Sequence, residues 1–407
     1  MSIMKKGYLS DYFTAVASKK LSKVEIIDVC SNQHEFNGVS DLKRLFGNDS
    51  ASKKIIPTTF LYLSDYDEDY IQSEGRMTWY DSRKEHPTRS EFRLYYPYNA
   101  PMAHASEGDE LIIAQKTDNT ALAIICENGS TISSQLKWMF GFPNELHSGT
   151  FSVREDLVED QDRLSYVSKI ILDLIGIDTE DGNEAYLDEL QEKFKEFPST
   201  REFSEYARGT LNIDPLNDPD KTLMLWVERE DILFRTLEKH LIDDMLEKWS
   251  RNIPKTDEFI AFSLSVQNRR KSRAGSALEN HMEALLISYD LAYTRGGTTE
   301  NKFKPDFIFP SIEKYHDPTF PESSLTMLGA KTTCKDRWRQ VLSEAERIKN
   351  KHLLTIQPAI SENQLEQMRC SNLQLVIPKG IHETYPENER KWLMSIEEFI
   401  DYIQAKQ

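Results

Sequence analysis

Two ionisable residues, each at the end of an apolar segment, have the types and spacing to act on a phosphate ester. Asp306 opens the apolar part of KPDFIFP, and Lys331 closes SLTMLGAK 25 positions later. If these segments form adjacent strands, the carboxylate and the ammonium group reach one edge of a sheet. A carboxylate there can hold Mg²⁺, and a lysine can orient or deprotonate a water molecule and offset phosphate charge. On this stretch alone, Asp306 could equally be a turn or capping residue.

A second acid is missing from the position where metal-dependent nucleases usually carry it, two residues before the lysine. That position is Gly329. Because Mg²⁺ prefers oxygen ligands and usually binds more than one carboxylate or a substrate phosphate, another acid must contribute. Glu344 borders an apolar stripe of helical spacing in DRWRQVLSEAERIKN, and Glu279 borders another in SALENHMEALL. Either glutamate could instead be a surface residue; if not, Asp306 and one of the two, Glu344 or Glu279, would hold the metal.

A charged triplet follows Lys331 and has the residue types that recognise G·C pairs. It consists of Lys335, Asp336 and Arg337. Lysine and arginine donate to guanine O6 and N7, and aspartate accepts from cytosine N4. Arg337 and Glu344 are seven residues apart, so a continuous helix would place both on one face. The alternative is a helix start with Asp336 as a cap or first-turn acid.

The charge of the chain is strongly acidic but unevenly distributed. A net charge of -17 over 407 residues argues against nonspecific binding to nucleic acid or to an anionic membrane. Two basic runs, NRRKSR and KDRWR, could nevertheless form a positively charged cleft on this acidic protein. There is no apolar run of the roughly 18 residues that a membrane helix needs, and no signal peptide. The four cysteines form no CxxC pair, so we expect a cytoplasmic protein with no membrane partner.

The pattern of apolar segments divides the chain into three parts. Residues 1–152 contain short runs rich in β-branched and aromatic residues, which predict a barrel of short strands with small helices near 39–46 and 133–140. Residues 153–196 are acidic and predict a partly helical linker. Residues 197–407 alternate helical stretches with strand candidates, which predicts an α/β domain around a mixed sheet. These strand candidates are PDFIFP, LTMLGAK, HLLTIQP and LQLVIP.

Three stretches of the second half resemble the catalytic domain of the EcoRII-type restriction endonucleases. They are NRRKSRAGSALENHMEALL, KPDFIFPSIEKYHD and AKTTCKDRWRQVLSEAERI. The resemblance implies a restriction-endonuclease-like PD-(D/E)XK fold in a Mg²⁺-dependent homodimer. Such an enzyme cuts both strands of DNA at a short site with CC and GG flanks. The family also lacks the acid before the lysine.

The resemblance also assigns roles to individual residues of this half. The implied catalytic residues are Glu279, Asp306, Lys331 and Glu344, and Tyr315 in KYHD is a further candidate near the active site. The CC:GG flanks would be read by Lys335, Asp336 and Arg337. In the NRRKSR run, Arg270 and Arg273 are the expected DNA contacts.

The first half resembles the N-terminal effector-binding domain of the same family, a pseudobarrel of the plant-B3 kind. The matching segments are SNQHEFNGVSDLKRLF and TWYDSRKEHPTRSEFRLYY. Glu35 departs from the family pattern, and it could accept from cytosine N4 or indicate a different effector sequence. The arginines and lysines would mostly bind phosphates, while Gln33, His34 and Asn37 could read base edges. The implied contacts with effector DNA are Gln33, His34, Asn37, Arg83, Lys84, Thr88, Arg89 and Arg93.

The resemblance further implies regulation and a partner enzyme. The effector domain would restrain the catalytic cleft until a second DNA site binds, and a cognate DNA methyltransferase would accompany the enzyme in the cell. Two other hypotheses remain. One is a catalytically silent DNA-binding regulator that keeps the fold. The other is a nuclease whose N-terminal domain senses a different or modified sequence.

Overall fold

The structure is a computed structural model, and it describes most of the chain. It divides the chain into two compact units, Met1–Thr179 with Pro358–Leu365, and Glu180–Gln357 with Glu366–Gln407. The side chain of Lys271 is not among the described groups. The described residues are 7–26, 34–37, 39–49, 51–66, 70–86, 88–143, 145–155, 157–159, 164–177, 179, 186–334 and 337–407.

In the part of the first unit that is described, an eight-stranded sheet carries the fold. Its order is β2-β5-β4-β3-β7-β6-β1-β8, and neighbours are antiparallel except for the parallel pair β3 and β7. The strands are β1 (Phe13–Lys20), β2 (Glu35–Phe36), β3 (Lys54–Leu63), β4 (Ile71–Asp81), β5 (Phe92–Tyr95), β6 (Glu110–Lys116), β7 (Ala121–Cys126) and β8 (Ser152–Glu155). The helices are α1 (Lys43–Phe46), α2 (Ala100–His104), α3 (Thr131–Phe140) and α4 (Tyr166–Leu174).

Apolar residues cover both faces of this sheet. Phe60 and Trp79 belong to the core on one face, whereas Leu61 and Ile124 belong to the core that packs under α3. Because β6 and β7 are buried on both faces, their sequences are continuous apolar runs rather than alternating ones. The two small helices predicted from the sequence are confirmed.

Glycines end both of these helices for a conformational reason. Gly47 follows α1 with φ +86°, and Gly141 follows α3 with φ +64°, in the left-handed region that glycine adopts readily. At the other end of α3, the Ser130 side chain accepts a hydrogen bond from the N–H of Ser133 as the N-cap.

A short segment from the second half of the sequence belongs to this first unit. The N–H of Ser361 donates to Thr131 Oγ1 at 3.2 Å, and Gln135 Nε2 donates to the carbonyl of Pro358 at 3.0 Å. Such a contribution from residues 358–365 was not expected from the sequence.

A mixed sheet of five strands lies within the described residues of the second unit. Its order is β13-β12-β11-β10-β9; β11, β12 and β13 are parallel, and β10 is antiparallel to β9 and β11. The strands are β9 (Thr294–Arg295), β10 (Phe307–Phe309), β11 (Thr326–Ala330), β12 (Lys351–Leu354) and β13 (Leu373–Val376). The remaining helices are α5 (Leu187–Lys193), α6 (Thr200–Gly209), α7 (Pro219–Arg251), α8 (Thr256–Ser288), α9 (Ile312–His316), α10 (Trp338–Leu342), α11 (Glu362–Cys370), α12 (Glu387–Arg390) and α13 (Ile396–Gln404).

The two longest helices, α7 and α8, have 33 residues each and form a hairpin. Its proximal half packs into the unit through residues such as Leu233, Leu237 and Met282. Between residues 239 and 272, no described side chain is buried, so the distal half projects from the unit. None of the helices in the described ranges has both the length and the apolar character needed to cross a membrane.

One predicted helix is much shorter than its apolar spacing indicated. The stretch 336–350 was expected to be helical, but α10 ends at Leu342 and Ser343 is its C-cap. Ala345 has φ +51°, which an α-helix cannot accommodate. Glu344 therefore lies in a turn after the helix, and the prediction that Arg337 and Glu344 share one helix face is wrong.

Candidate active site

Adjacent antiparallel strands bring Asp306 and Lys331 together. Asp306 immediately precedes β10 and Lys331 immediately follows β11, in a register that pairs Phe307 with Leu328. Lys331 Nζ donates to Asp306 Oδ2 at 3.0 Å, and the N–H of Ala330 donates to the same oxygen at 2.7 Å. Both charged side chains are partly accessible, with exposed fractions of 20% and 16%. The pair thus combines a fixed carboxylate and a fixed cation that a substrate can reach.

Gly329 occupies the position of the missing acid because the sheet is covered closely at that point. A Cβ at residue 329 would lie 3.1 Å from Cγ2 and 3.3 Å from Cγ1 of Val341, on α10. These separations are shorter than ordinary van der Waals contact. Any side chain here would require the Val341 side chain to shift, which disfavours an acid at this strand position.

Glu344 approaches the same pair from the turn after α10. Its Oε2 atom is buried and has no hydrogen-bond partner. Burial raises the pKa of Glu344, the ammonium group of Lys331 lowers it, and the carboxylate of Asp306 raises it again. These electrostatic effects indicate that Glu344 lies close to Asp306 and Lys331. A buried carboxylate oxygen without a donor is costly unless a proton or a cation satisfies it.

Glu279 lies on α8 beside the same site, but an arginine holds its carboxylate. Arg295 Nη2 lies 2.9 Å from Glu279 Oε2, and Nη1 lies 2.6 Å from Glu283 Oε2. Burial and the Asp306 carboxylate raise the pKa of Glu279, whereas Arg295 and Lys331 lower it. Arg295, which the sequence analysis missed, stands opposite Phe307 in the β9–β10 ladder. It therefore connects Glu279 to the strand that begins next to Asp306.

The acidic residues of the site offer only part of the coordination shell of a metal. Among the described residues, no three His, Cys, Asp or Glu side chains form a group that could hold a metal ion. Asp306 and Glu344 nevertheless present two carboxylates near one lysine, and one oxygen of Glu344 is orphaned. This donor set fits Mg²⁺, which commonly binds one or two carboxylates and completes its shell with water and substrate phosphate.

The expected DNA-reading triplet is described only in part. Lys335 and Asp336 lie outside the described residues. Arg337 is exposed at the start of α10, where its Nη2 donates to Thr333 Oγ1 at 2.5 Å and its N–H to the carbonyl of Cys334 at 2.7 Å. Its guanidinium group is therefore on the surface next to the segment that follows Lys331.

The two arginines expected to contact DNA from α8 have different environments. Arg270 is half exposed, and its Nε lies 2.6 Å from Glu238 Oε2. Arg273 is only 6% exposed, and its guanidinium lies 4.9 Å from the ring centre of Phe203 and 5.0 Å from that of Phe234. A side chain in this aromatic core is not available to a DNA backbone, so the prediction for Arg273 is corrected. Position 273 lies four residues before the buried Ala277, a spacing that indicated the inner face of α8.

Tyr315 makes its described contacts away from the acid–lysine pair. It lies on α9, and its hydroxyl donates to Glu300 Oε2 at 2.5 Å. The same hydroxyl accepts a hydrogen bond from the N–H of Arg347 at 3.3 Å. These bonds connect Tyr315 to the turn that follows Glu344. They indicate a structural role rather than contact with the reacting atoms.

In the first unit, a buried ion pair anchors part of the segment expected to bind effector DNA. Lys19 and Glu25 are both fully buried, with 2.6 Å between Lys19 Nζ and Glu25 Oε1. Glu25 Oε1 accepts the N–H of Asn37 at 2.5 Å, and Lys19 Nζ donates to the carbonyl of Asn37 at 3.0 Å. Next to it, His34 has φ +46° and its ring lies 5.7 Å from that of Tyr96. Gln33 lies outside the described residues.

Three of the basic residues expected at the effector site, Arg83, Lys84 and Arg93, form ion pairs with nearby acids. Arg93 Nη1 lies 2.9 Å from Glu35 Oε2, which explains the acid that departs from the family pattern. The hydroxyl of Tyr80 donates to the other oxygen of Glu35 at 2.7 Å. Arg83 Nε lies 2.5 Å from Glu91 Oε2, and Lys84 Nζ lies 3.8 Å from the adjacent Glu85.

The loop beyond Arg83 is ordered by a histidine. The N–H groups of Thr88 and Arg89 donate to His86 Nδ1 at 3.3 Å and 3.1 Å. Thr88 and Arg89 are both exposed, so their side chains are accessible to a ligand.

Comparisons with known proteins find similar sequences over most of the chain. Residues 234–400 match the model of the family described as EcoRII C terminal. The chain is 34% identical over 370 residues to the type II restriction enzyme EcoRII of Escherichia coli, covering 88% of this chain and 86% of that one. It is 26% identical over 124 residues to the type II restriction enzyme SsoII of Shigella sonnei, covering 28% of this chain and 40% of that one.

Solved structures give two further similarities. One is a complex of the restriction endonuclease PspGI with substrate DNA, with 18% identity and a TM-score of 0.44, covering 52% of this chain and 93% of that chain. The other is metal-depleted Ecl18kI in complex with uncleaved DNA, with 19% identity and a TM-score of 0.45, covering 55% of this chain and 83% of that chain.

Proposed function

Because the chain belongs to the EcoRII-type type II restriction endonucleases, we propose that it cuts both strands of DNA at short sites with CC and GG flanks, as a Mg²⁺-dependent homodimer. The observation that carries the chemistry is the contact of 3.0 Å between Lys331 Nζ and Asp306 Oδ2, next to the orphaned Oε2 of Glu344. A fixed acid–lysine pair with a second acid nearby can support metal-assisted hydrolysis of a phosphodiester.

In the proposed mechanism, Asp306 and Glu344 would hold Mg²⁺. The ion would polarise the phosphoryl oxygen and lower the pKa of a water molecule. Lys331 orients the attacking water and offsets the negative charge that develops on the phosphate. Glu279 supports the site through its electrostatic coupling to Asp306, while Arg295 fixes its orientation.

For recognition, we assign the CC:GG flanks to Lys335, Asp336 and Arg337. The exposed guanidinium of Arg337 supports this assignment, since arginine donates in pairs to guanine O6 and N7. Arg270 remains a candidate phosphate contact because half of its side chain is exposed. A cognate DNA methyltransferase would protect the same sites in the host.

We propose that the first unit is the B3-like effector domain of the family and binds a second DNA duplex. The candidate contacts are Gln33, His34, Asn37, Arg83, Lys84, Thr88, Arg89 and Arg93. Glu35 would orient Arg93 rather than read a base, because its two oxygens already accept from Arg93 and Tyr80.

We also propose that effector DNA relieves a restraint on the catalytic cleft. Support comes from residues Pro358–Leu365, which follow β12 in the sequence but hydrogen-bond within the first unit. Binding of DNA to that unit can therefore change the segment that continues from β12.

The homodimer would form at the distal half of the α7–α8 hairpin. Residues 259–268 (FIAFSLSVQN) contain no charged residue, although 29% of the chain is charged. Ile260 and Leu264 are about half exposed there, and Ile253 at the hairpin tip is 88% exposed. Depletion of charge with exposed apolar side chains is typical of the core of a protein interface. A two-fold symmetric homodimer presents the same residues to both strands of a symmetric site.

The function can be tested by incubating the full-length protein with Mg²⁺ and a plasmid that carries several CC…GG sites. Discrete cuts whose sequenced ends share one flanking motif would support the proposal and identify the site. If the protein alone does not cut, a short duplex containing the motif is added in trans as effector. Absence of cutting in both conditions, with DNA binding retained, would favour the silent regulator instead.

A further inference from the structure

The turn that carries Glu344 is held by a buried lysine. Lys351 opens β12 and is only 6% exposed. Its Nζ donates to the carbonyl oxygen of Glu344 and to that of Ala345, the latter at 2.9 Å. Two consecutive carbonyl groups of the turn therefore point at one ammonium group.

This contact matters because Glu344 has no helix to fix it. α10 ends at Leu342, and Ala345 has φ +51°, so the backbone reverses just beyond Glu344. Carbonyl groups after the last turn of a helix lack intrahelical partners and need other donors. The ammonium group of Lys351 supplies donors to two of them.

The position of Lys351 in the sheet connects the turn to the rest of the site. β12 is the parallel neighbour of β11, with His352 opposite Leu328. β11 in turn leads directly to Lys331 and lies beside β10, which begins after Asp306. Lys351 therefore ties the backbone of Glu344 to the same sheet that carries the acid–lysine pair.

A buried lysine at position 351 is energetically unfavourable unless its ammonium group makes stabilising contacts. Burying an ammonium group is unfavourable, and an apolar side chain of similar length would fill the volume without that cost. The described hydrogen bonds of Lys351 Nζ are made to backbone carbonyls. These bonds to the turn, together with the nearby carboxylates of Glu344, Glu300 and Glu346, offset the unfavourable burial of the charge.

We propose that Lys351 is a positioning residue that fixes the backbone of Glu344 on the central sheet and thereby sets where the Glu344 carboxylate meets Asp306. The inference rests on the proposed nuclease function, since it assumes that Glu344 and Asp306 share a metal ion. Lys351 itself contacts neither the substrate nor the ion. Groups that orient the ligands of a metal typically change its affinity or the activity by about 10- to 100-fold when they are removed.

The test compares Lys351→Met with wild type and with Lys349→Met, which removes an exposed lysine two residues earlier. In the full-length protein, Lys351→Met should raise the half-saturating Mg²⁺ concentration for single-turnover cleavage by about 10- to 100-fold. The stabilisation by Ca²⁺ in thermal unfolding, which needs no cleavage, should weaken in parallel. DNA affinity measured in EDTA should stay the same. Lys349→Met should match wild type in every measurement.

The outcomes separate the inference from the proposed function. A folded Lys351→Met variant with wild-type dependence on Mg²⁺ and Ca²⁺ would overturn the positioning role. Absence of cleavage by wild type would instead contradict the proposed function. If Lys351→Met does not fold, Lys351→Arg, which keeps donors at this place, should fold and retain most of the affinity for Mg²⁺. A folded Lys351→Arg variant that loses as much affinity for Mg²⁺ as a folded Lys351→Gln variant would also contradict the inference.

Discussion

Glu344 and Lys351 are seven residues apart, and the side chain of the second holds the backbone carbonyl of the first. The sequence predicted that a helix would fix Glu344, but in the structure Lys351 holds this residue instead. The contact also explains how an acid in a turn can serve a site whose other charged residues lie at strand ends. The proposed catalytic arrangement therefore depends on a turn fixed by tertiary contacts as much as on the sheet.

Glu344→Gln should strongly slow cleavage while leaving the fold intact. Removing one of two metal-binding carboxylates should lower the single-turnover rate by about 100-fold or more. Glu346→Gln, an exposed glutamate in the same turn, is the matched control and should cleave like wild type. Comparable rates for Glu344→Gln and Glu346→Gln would remove Glu344 from the site.

In the absence of metal, the free energy of unfolding of wild type and of Glu344→Gln should depend differently on pH. Because burial raises the pKa of Glu344, the folded chain holds this proton more tightly than the unfolded chain does. The free energy of unfolding in EDTA therefore falls as pH rises from the ordinary glutamate value through the raised one. Glutamine does not titrate, so Glu344→Gln does not lose stability in this way. The variant should therefore be more stable than wild type near neutral pH but no more stable at about pH 4. Denaturant unfolding at both pH values measures the difference; a variant less stable than wild type at neutral pH would contradict it.

Gly329→Ala should be destabilising because of Val341. The added Cβ would lie 3.1 Å from Val341 Cγ2, and overpacking of this kind costs about 1–3 kcal/mol. Val341→Ala removes the colliding methyl groups, so the double variant should be more stable than the sum of the single effects predicts. If the changes in the free energy of unfolding in urea were strictly additive, the Val341 side chain would not be what disfavours a Cβ at position 329.

How far the sequence alone predicts this site differs between residues. Asp306 and Lys331 were found because apolar runs predict strands and neighbouring strands deliver their ends to one edge. The helix predicted over 336–350 forms only from Trp338 to Leu342. Apolar spacing predicts which residues are buried, but it does not predict the left-handed backbone at Ala345. Trp338, Val341 and Ile348 are buried as expected.

Residues that act through tertiary contacts left weaker signals. Lys351 opens the apolar run KHLLTI, which mirrors the way Lys331 closes another, and this boundary position could have indicated its importance. No local sequence pattern indicates the role of Arg295, because its partner Glu279 lies 16 positions earlier on another element. The contribution of residues 358–365 to the first unit likewise has no local cause in the sequence.

Tyr315→Phe distinguishes a structural tyrosine from a catalytic one. The variant loses the hydrogen bond to Glu300, which should lower the free energy of unfolding by about 1 kcal/mol. Because this hydroxyl binds the turn beyond Glu344, cleavage should continue at a rate within about tenfold of wild type. A loss as large as that of Glu344→Gln would instead return Tyr315 to the catalytic residues.

Leu264→Glu should dissociate the proposed homodimer. A charge in the uncharged run 259–268 would have to be buried in the interface, which is unfavourable without a partner. Ser272→Glu adds the same charge to an exposed position of the same helix outside that run and is the control. Sedimentation should give a monomer for Leu264→Glu and a dimer for wild type and Ser272→Glu. A dimeric Leu264→Glu variant would place the interface elsewhere.

The most direct measurement of the central claim is single-turnover cleavage of a mapped site by wild type and Lys331→Met, with DNA binding measured in EDTA. Methionine keeps the length of the side chain but removes the charge 3.0 Å from Asp306 Oδ2. We expect cleavage to fall by about 100- to 1,000-fold while DNA affinity is retained. Cleavage by Lys331→Met at the wild-type rate would contradict the assignment of this acid–lysine pair as the active site.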